Sequence, residues 1–107
     1  MLQLLGRATS GNVQKVMFLL EELGTPYERV DYGRQFNNTQ TAEYKALNPN
    51  AKVPTLVDCE TSSWESNTIL RYLAAKAKSP LYPADPAART HVERWMDWQL
   101  GNLNPVY

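Results

Sequence analysis

The sequence has little of the chemistry that disulfides and metal sites require, since its 107 residues include one cysteine and one histidine. Cys59 has no second cysteine for an internal disulfide, which is typical of a chain in a reducing, cytoplasmic setting. His91 alone cannot form a multi-histidine cluster, and no other residues have the spacing of metal ligands. We therefore expect no metal.

The sequence also has no excess charge of either sign, because 11 Lys and Arg residues balance 11 Asp and Glu residues. Nucleic acids and anionic membranes attract concentrated basic surface, and a membrane helix needs about 20 consecutive apolar residues, which the sequence lacks. We therefore predict neither a nucleic-acid partner nor a membrane location. The start of the chain lacks the basic and apolar segments of a signal peptide, which again favours the cytoplasm.

The sequence does contain short continuous apolar runs, which are typical of buried strands. They alternate with segments in which apolar residues recur at helical spacing, as in a mixed α/β domain. Val13, Val16 and Leu20 recur at helical spacing, and Gly24 and Pro26 supply stop signals. The predicted elements are strand 2–5, helix 12–23, strand 27–31, irregular loop 32–40, short helix 41–47, strand 53–58, turn 59–62, a partner strand around Trp64, and helix 66–77. The first two strands should be parallel through a right-handed crossover, and the last two should form an antiparallel hairpin.

A different pattern follows this domain. Three prolines within residues 80–86 predict a linker, and Asp85 followed by Pro86 is a strong helix start. Apolar residues at helical spacing continue to Leu103, and Asn104-Pro105 predicts the end or a kink of that helix. The order of elements matches a small α/β sandwich of thioredoxin type, βαβ-α-ββα, followed by a helix that belongs to something else.

Pro54 lies inside an apolar strand pattern, where proline is normally confined to edges or ends because it removes a ladder donor. The statistics of X–Pro bonds alone favour an ordinary trans bond, since cis accounts for only about 5% of them. However, thioredoxin-like folds hold a cis proline at this position, after a loop and helix and before a hairpin. In that arrangement the backbone N–H and C=O of Val53 are open to bind an extended, peptide-like ligand.

Glu65 and Ser66 stand at the predicted start of a helix, where unpaired N–H groups and the helix dipole favour an anion. The simplest interpretation is a helix cap with an acidic first turn. The functional alternative is a clamp for a zwitterion. Ser66 would hold a carboxylate through its N–H and hydroxyl, and Glu65 would pair with an ammonium group.

Thr9, Ser10 and Asn12 stand at the start of the first helix, where capping is again the simplest role. A hydroxyl donor and the helix dipole at this place can also stabilise a thiolate, as low-pKa cysteines at helix starts show. The thiol would belong to a ligand, because this helix start contains no cysteine and Cys59 lies in a predicted turn. We therefore do not expect dithiol redox chemistry.

Together these segments resemble the soluble glutathione transferase family, in particular its bacterial theta-like members. The resemblance rests most firmly on the pairing of residues 52–56 (KVPTL) with residues 64–67 (WESN). Residues 48–56 are similar to the family's proline segment, and residues 65–73 are similar to its third-helix signature. Residues 6–16, 20–28, 81–83 and 94–99 resemble its opening, the continuation of that opening, its linker and the first helix of its all-helical domain. The resemblance implies a thioredoxin-like glutathione-binding domain over residues 1–78, a linker over 79–85, and the first helix of a truncated all-α domain over 86–107.

The resemblance also implies a division of roles among the candidate site residues. Ser10 takes the thiol-activating place, although family members differ here and Thr9 or Asn12 could act instead. Glutathione is the implied co-substrate, and no metal is implied. The residues in glutathione-binding places are Lys52, Val53, Pro54, Glu65 and Ser66.

The implied activity is that of a detoxifying transferase, in which the glutathione thiolate attacks a small electrophilic substrate. A cytoplasmic homodimer is the implied assembly. The family's electrophile pocket comes mostly from several helices of the second domain, and only the first of these appears in the sequence. The alternative is a non-catalytic module of transferase-like fold that binds glutathione or a protein partner.

Overall fold

The structure is a computed structural model that describes residues 1–103. Within them the helices and strands alternate in the predicted order, and two additional short helical segments occur. The elements are β1 (Leu2–Leu5), α1 (Gly11–Leu23), β2 (Tyr27–Val30), a 3-10 turn (Arg34–Phe36), α2 (Ala42–Leu47), β3 (Thr55–Asp58), β4 (Thr61–Trp64), α3 (Ser66–Lys76), α4 (Pro86–Trp98) and a π-helical segment (Gln99–Leu103).

The four strands form a single mixed sheet in the order β2-β1-β3-β4. Strand β1 is parallel to β2 and antiparallel to β3, and β3 is antiparallel to β4. The predicted parallel first pair and the predicted hairpin are both confirmed. This arrangement of a central mixed sheet with its helices is the predicted thioredoxin-like fold, followed by a further helix.

Helix α1 forms because its sequence has apolar residues at helical spacing and a capping residue at each end. Val13, Val16 and Leu20 are fully buried, as their helical spacing predicts. Gly24 ends the helix in the left-handed conformation, with φ of 67°. Its N–H donates to Glu21 O, and the next N–H donates to Leu20 O, so two carbonyls that would lack partners are satisfied.

Apolar side chains of the sheet and of the helices that pack on it form the core. Leu4 and Leu56 lie on the two central strands and are 0% and 1% exposed, respectively. Tyr44 on α2 is also fully buried, which is unusual for a residue with a hydroxyl group and requires hydrogen-bond partners for it. The core therefore contains a polar element directly beneath the segment that carries Pro54.

Several of the predicted boundaries were wrong, most of them by one residue. Strand β3 begins at Thr55 rather than at residue 53, because Thr55 is the first residue to pair with β1. The hairpin turn is shorter than residues 59–62, since Thr61 already pairs with Asp58. The loop 32–40 contains the 3-10 turn. The predicted helix end at Asn104-Pro105 lies outside the described residues.

By the density of its internal contacts, the chain divides into two compact units, Met1–Leu70 and a second that begins at Arg71. In the second unit, helix α4 starts as predicted, with Asp85 capping the Ala88 N–H at 3.0 Å and Pro86 in the first turn. Tyr82 donates to Glu93 at 2.6 Å, and Arg71 pairs with Asp97 at 3.3 Å. None of the helices within residues 1–103 combines the length and apolarity that a bilayer crossing demands.

Candidate functional site

The sheet register brings the predicted site residues to one edge of the sheet. Leu5, at the end of β1, pairs with Thr55, at the start of β3, and Thr55 pairs in turn with Trp64, at the end of β4. Adjacent strands are about 4.8 Å apart, so the segments that extend beyond this row are close neighbours. We call this edge the site edge. The segments that meet there are residues 6–10, 51–54 and 65–66.

Val53 lies at the centre of the site edge, and its peptide bond to Pro54 is cis. Within residues 1–103, neither the N–H nor the C=O of Val53 has a hydrogen-bond partner. Pro54 itself is buried. The predicted open backbone at Val53 is therefore present, and it can accept an extended chain by strand addition.

Close packing beside Val53 explains two glycines. A Cβ on Gly6 would lie 2.5 Å from Val13 Cγ2 and 3.4 Å from Val53 Cβ. A Cβ on Gly33 would lie 2.9 Å from the Arg7 guanidinium, and Gly33 has a φ of 94°, which favours glycine. The backbone at Gly6 and at Gly33 can lie this close to its neighbours only because these two residues have no side chain.

A buried hydrogen-bond network holds the segment before Val53. Tyr44 Oη donates to Lys52 O at 2.6 Å and lies 2.8 Å from Thr55 Oγ1. Asn48 Nδ2 donates to the same two groups, at 2.8 Å and 3.0 Å. The carbonyl of Lys52 is thus fixed from both sides, while its side chain is exposed at the site edge. Burial raises the pKa of Tyr44, so its phenol stays protonated and can act as donor.

Glu65 and Ser66 form the turn between β4 and α3. Glu65 is exposed and has a φ of 74°, a conformation that costs a non-glycine residue free energy and is often found at functional sites. Ser66 is the first residue of α3 and is 9% exposed. In the described part of the chain its hydroxyl has no hydrogen-bond partner. The hydroxyl and the N–H of Ser66 are therefore available together at a helix start, as an anion site requires.

Ser10 caps helix α1, as the simplest interpretation predicted. Its Oγ accepts from the Val13 N–H at 3.4 Å, and the residue is 7% exposed. The cap uses the hydroxyl oxygen as an acceptor, so the hydroxyl hydrogen remains available for donation to a ligand. Of the two alternatives for thiol activation, Thr9 is exposed and Asn12 is half-buried. All three residues belong to the helix start at the site edge.

A contact that the sequence did not predict joins α1 to α3. Lys15 Nζ donates to Asn67 Oδ1 at 2.8 Å, although 52 residues separate them along the chain. Burial lowers the pKa of Lys15, and the nearby carboxylate of Glu65 partly opposes that effect. No local pattern signals this pair, because each residue alone looks like an ordinary polar position on a helix.

Residues 1–103 contain no group of three or more His, Cys, Asp or Glu side chains placed to hold a metal ion. Cys59 is exposed in the β3–β4 turn, where its φ is 56°. That turn joins the ends of β3 and β4 opposite to those at the site edge. The groups that the described residues place at the site edge are hydroxyl, carboxylate, lysine and backbone groups.

Comparison with known proteins adds a consistent result. The profile of the family described as "Glutathione S-transferase, N-terminal domain" matches residues 2–75. Glutathione S-transferase GstB of Escherichia coli (strain K12) is 48% identical over 110 residues, covering 100% of this chain and 53% of that protein. The chain therefore spans about half the length of this curated relative.

Solved structures agree with this. The theta class glutathione S-transferase from Xanthomonas axonopodis pv. citri, solved with glutathione bound, matches with a TM-score of 0.95 and 43% identity. The match covers 99% of this chain and 51% of that one. Glutathione Transferase E6 from Drosophila melanogaster matches with a TM-score of 0.87 and 33% identity, covering 94% of this chain and 47% of its own.

Proposed function

The chain belongs to the glutathione transferase family, and from that premise we propose that its site edge binds glutathione and activates the thiol for attack on an electrophile. The observation that carries the proposal is the pairing of Thr55 with both Leu5 and Trp64. Because of this row, an open backbone, a helix-start anion site and a capped helix start with a free hydroxyl hydrogen lie at one edge. A zwitterionic thiol tripeptide needs these three kinds of group.

In this proposal Val53 binds the middle of glutathione. Its unpartnered N–H and C=O hydrogen bond to the cysteinyl backbone, as when a peptide adds to a sheet edge. Pro54 and the Tyr44 network fix the direction of these two groups. The exposed Lys52 side chain, one residue earlier, supplies a cation for a carboxylate of the ligand.

Glu65 and Ser66 bind the glutamyl end. The hydroxyl and the N–H of Ser66 hold the glutamyl carboxylate, and the helix dipole adds to this attraction. The exposed carboxylate of Glu65 pairs with the ammonium group on the same carbon atom of the ligand. Both charges of one zwitterion are therefore met by adjacent residues.

Ser10 activates the thiol. Its hydroxyl donates to the glutathione sulfur while its oxygen accepts from the Val13 N–H, and the start of α1 favours the negative charge. Lowering the thiol pKa by one unit corresponds to about 1.4 kcal/mol of thiolate stabilisation. The thiol proton passes to solvent. The thiolate sulfur then attacks the electrophilic carbon and forms the S–C bond, while the leaving group departs with the electron pair of its bond to that carbon. The rate comes mainly from keeping the sulfur ionised and positioned.

We further propose the organisation that the sequence predicts, with residues 1–78 as the glutathione-binding domain, 79–85 as a linker and 86–107 as the first helix of an all-helical domain. A cytoplasmic homodimer with a role in detoxification completes the proposal. Trp95 is 63% exposed and Trp98 is 43% exposed. Because large apolar side chains rarely stay exposed together, these two residues support a larger assembly in which α4 is buried.

Isothermal titration of the 107-residue chain with glutathione tests the binding step. Ser66→Ala should weaken glutathione binding by about tenfold, the loss of one charge-assisted hydrogen bond. Thr68→Ala is the matched control, because Thr68 is an exposed hydroxyl residue in the first turn of the same helix. Absence of binding at millimolar glutathione would overturn the proposal.

A further inference from the structure

Lys15 on α1 reaches the start of α3. Its ammonium group donates to Asn67 Oδ1 at 2.8 Å, and Asn67 is only 8% exposed. A charge-assisted hydrogen bond of this length to a buried amide is stronger than a typical surface contact. It ties the helix that Ser10 caps to the helix that begins with Ser66.

Charge adds to this contact. Glu65 attracts Lys15, which opposes the lowering of the Lys15 pKa by burial. Lys15 therefore interacts with the residue on each side of Ser66, by a hydrogen bond with Asn67 and by charge with Glu65. These two partners offset part of the loss of hydration that burial of the Lys15 ammonium group causes.

We propose that Lys15 is a positioning residue for the glutamyl end of the glutathione site, where it fixes Ser66 and Glu65 relative to helix α1. This inference rests on the proposed function. A helix start frays unless its first residues are held, and Glu65 occupies a left-handed conformation that surrounding contacts must maintain. Binding groups work best when supporting hydrogen bonds lock them, and the Lys15–Asn67 bond is placed to do this for Ser66.

A specific consequence follows for ligand recognition. Loss of Lys15 should weaken interactions with the glutamyl part of glutathione, while the backbone of Val53 continues to hold the cysteinyl part. Cysteinylglycine lacks the glutamyl arm, so its affinity should not depend on Lys15. A general loss of structure would instead weaken both ligands in parallel.

The test compares glutathione and cysteinylglycine binding to the wild type, Lys15→Met and Lys15→Arg by isothermal titration or by competition. We expect Lys15→Met to raise the Kd of glutathione about tenfold and to leave that of cysteinylglycine unchanged. Lys15→Arg retains the charge and the donor, so it should bind glutathione nearly as tightly as the wild type. Asn67→Leu removes the same hydrogen bond from the other side and serves if Lys15→Met does not fold. In a double-mutant cycle, adding Asn67→Leu to Lys15→Met should raise the Kd of glutathione little further.

The outcomes separate this inference from the function on which it rests. If the wild type fails to bind glutathione, the proposed function and this inference both fail. If the wild type binds but Lys15→Met binds glutathione equally well, only the role of Lys15 is overturned. Parallel weakening of both ligands, or no rescue by Lys15→Arg, would likewise contradict it.

Discussion

The hydroxyl of Tyr44 lies 2.6 Å from the carbonyl oxygen of Lys52, one residue before the open backbone of Val53. The Thr55 hydroxyl accepts from Asn48 and can donate to Tyr44, so the hydrogen bonds run in one direction towards Lys52. Hydrogen bonds that are linked in such a network strengthen one another when they are buried. The chain thus uses a buried tyrosine to hold the segment that is proposed to bind ligand.

Tyr44→Phe should destabilise the fold. It leaves the buried Lys52 carbonyl and Thr55 hydroxyl each with one partner fewer, which costs about 1–3 kcal/mol of unfolding free energy. Urea denaturation followed by circular dichroism measures this loss. Tyr27→Phe is the control, because the Tyr27 hydroxyl makes only a 3.4 Å contact with exposed Glu21. Equal stability of Tyr44→Phe and the control would contradict the role of the network.

The same tyrosine predicts a pH dependence. Burial raises the pKa of Tyr44 above its ordinary value of 10.0, so above that pH the folded state retains a proton that the unfolded state has lost. Unfolding then releases protons, and the unfolding free energy falls as the pH rises through this range. In Tyr44→Phe that part of the slope should disappear. Urea midpoints at a series of pH values from neutral to alkaline test this, and an unchanged slope in the variant would be the contrary result.

Two glycines offer a matched pair for packing at the site edge. Gly6→Ala places a Cβ 2.5 Å from Val13 Cγ2, between buried elements, and should cost about 1–3 kcal/mol of stability. Gly11→Ala, in the first turn of α1, meets nothing within 4 Å and should leave stability unchanged or slightly higher. Thermal unfolding of both variants is the measurement. Unchanged thermal stability of Gly6→Ala would show that the backbone at Gly6 does not pack against Val13 as tightly as described.

Replacing Ser10 and replacing Ser66 should change different kinetic parameters if their proposed roles are right. Ser10→Ala removes the thiol-activating hydroxyl, so the conjugation rate should fall while glutathione affinity changes little. Ser66→Ala should raise the KM for glutathione with less effect on kcat. Because Ser10→Ala also removes a helix cap worth about 1 kcal/mol, its folding must be checked beside the assay. Thr9→Ala, at an exposed neighbouring position, should behave like the wild type.

The parts of the fold that depend on neighbouring residues could be predicted from the sequence. The spacing of Val13, Val16 and Leu20 predicted α1, and Asp85 with Pro86 predicted the start of α4, because caps and apolar stripes are local signals. The start of β3 could not be placed from the residue pattern alone. Val53 looks like a strand residue, and only the pairing of Leu5 with Thr55 shows where the ladder begins.

The site could be predicted only as far as its residues carry recognisable motifs. Val53, Glu65 and Ser66 could be proposed as site residues because a proline segment and a helix-start signature surround them. The residues that support them were not, since Tyr44 meets Thr55 across 11 residues and Lys15 meets Asn67 across 52. Such pairs follow from the packing of helices on the sheet and leave no pattern in the local sequence.

The central claim is that this chain binds glutathione at the site edge and holds its sulfur as the thiolate. Glutathione is added to the 107-residue chain at a series of pH values, and the ultraviolet absorbance of the thiolate is followed in the bound state. The account predicts saturable binding and a thiol pKa below the value for free glutathione, with that lowering reduced in Ser10→Ala. Absence of binding at millimolar glutathione, or a bound thiol that titrates like the free one, would contradict it.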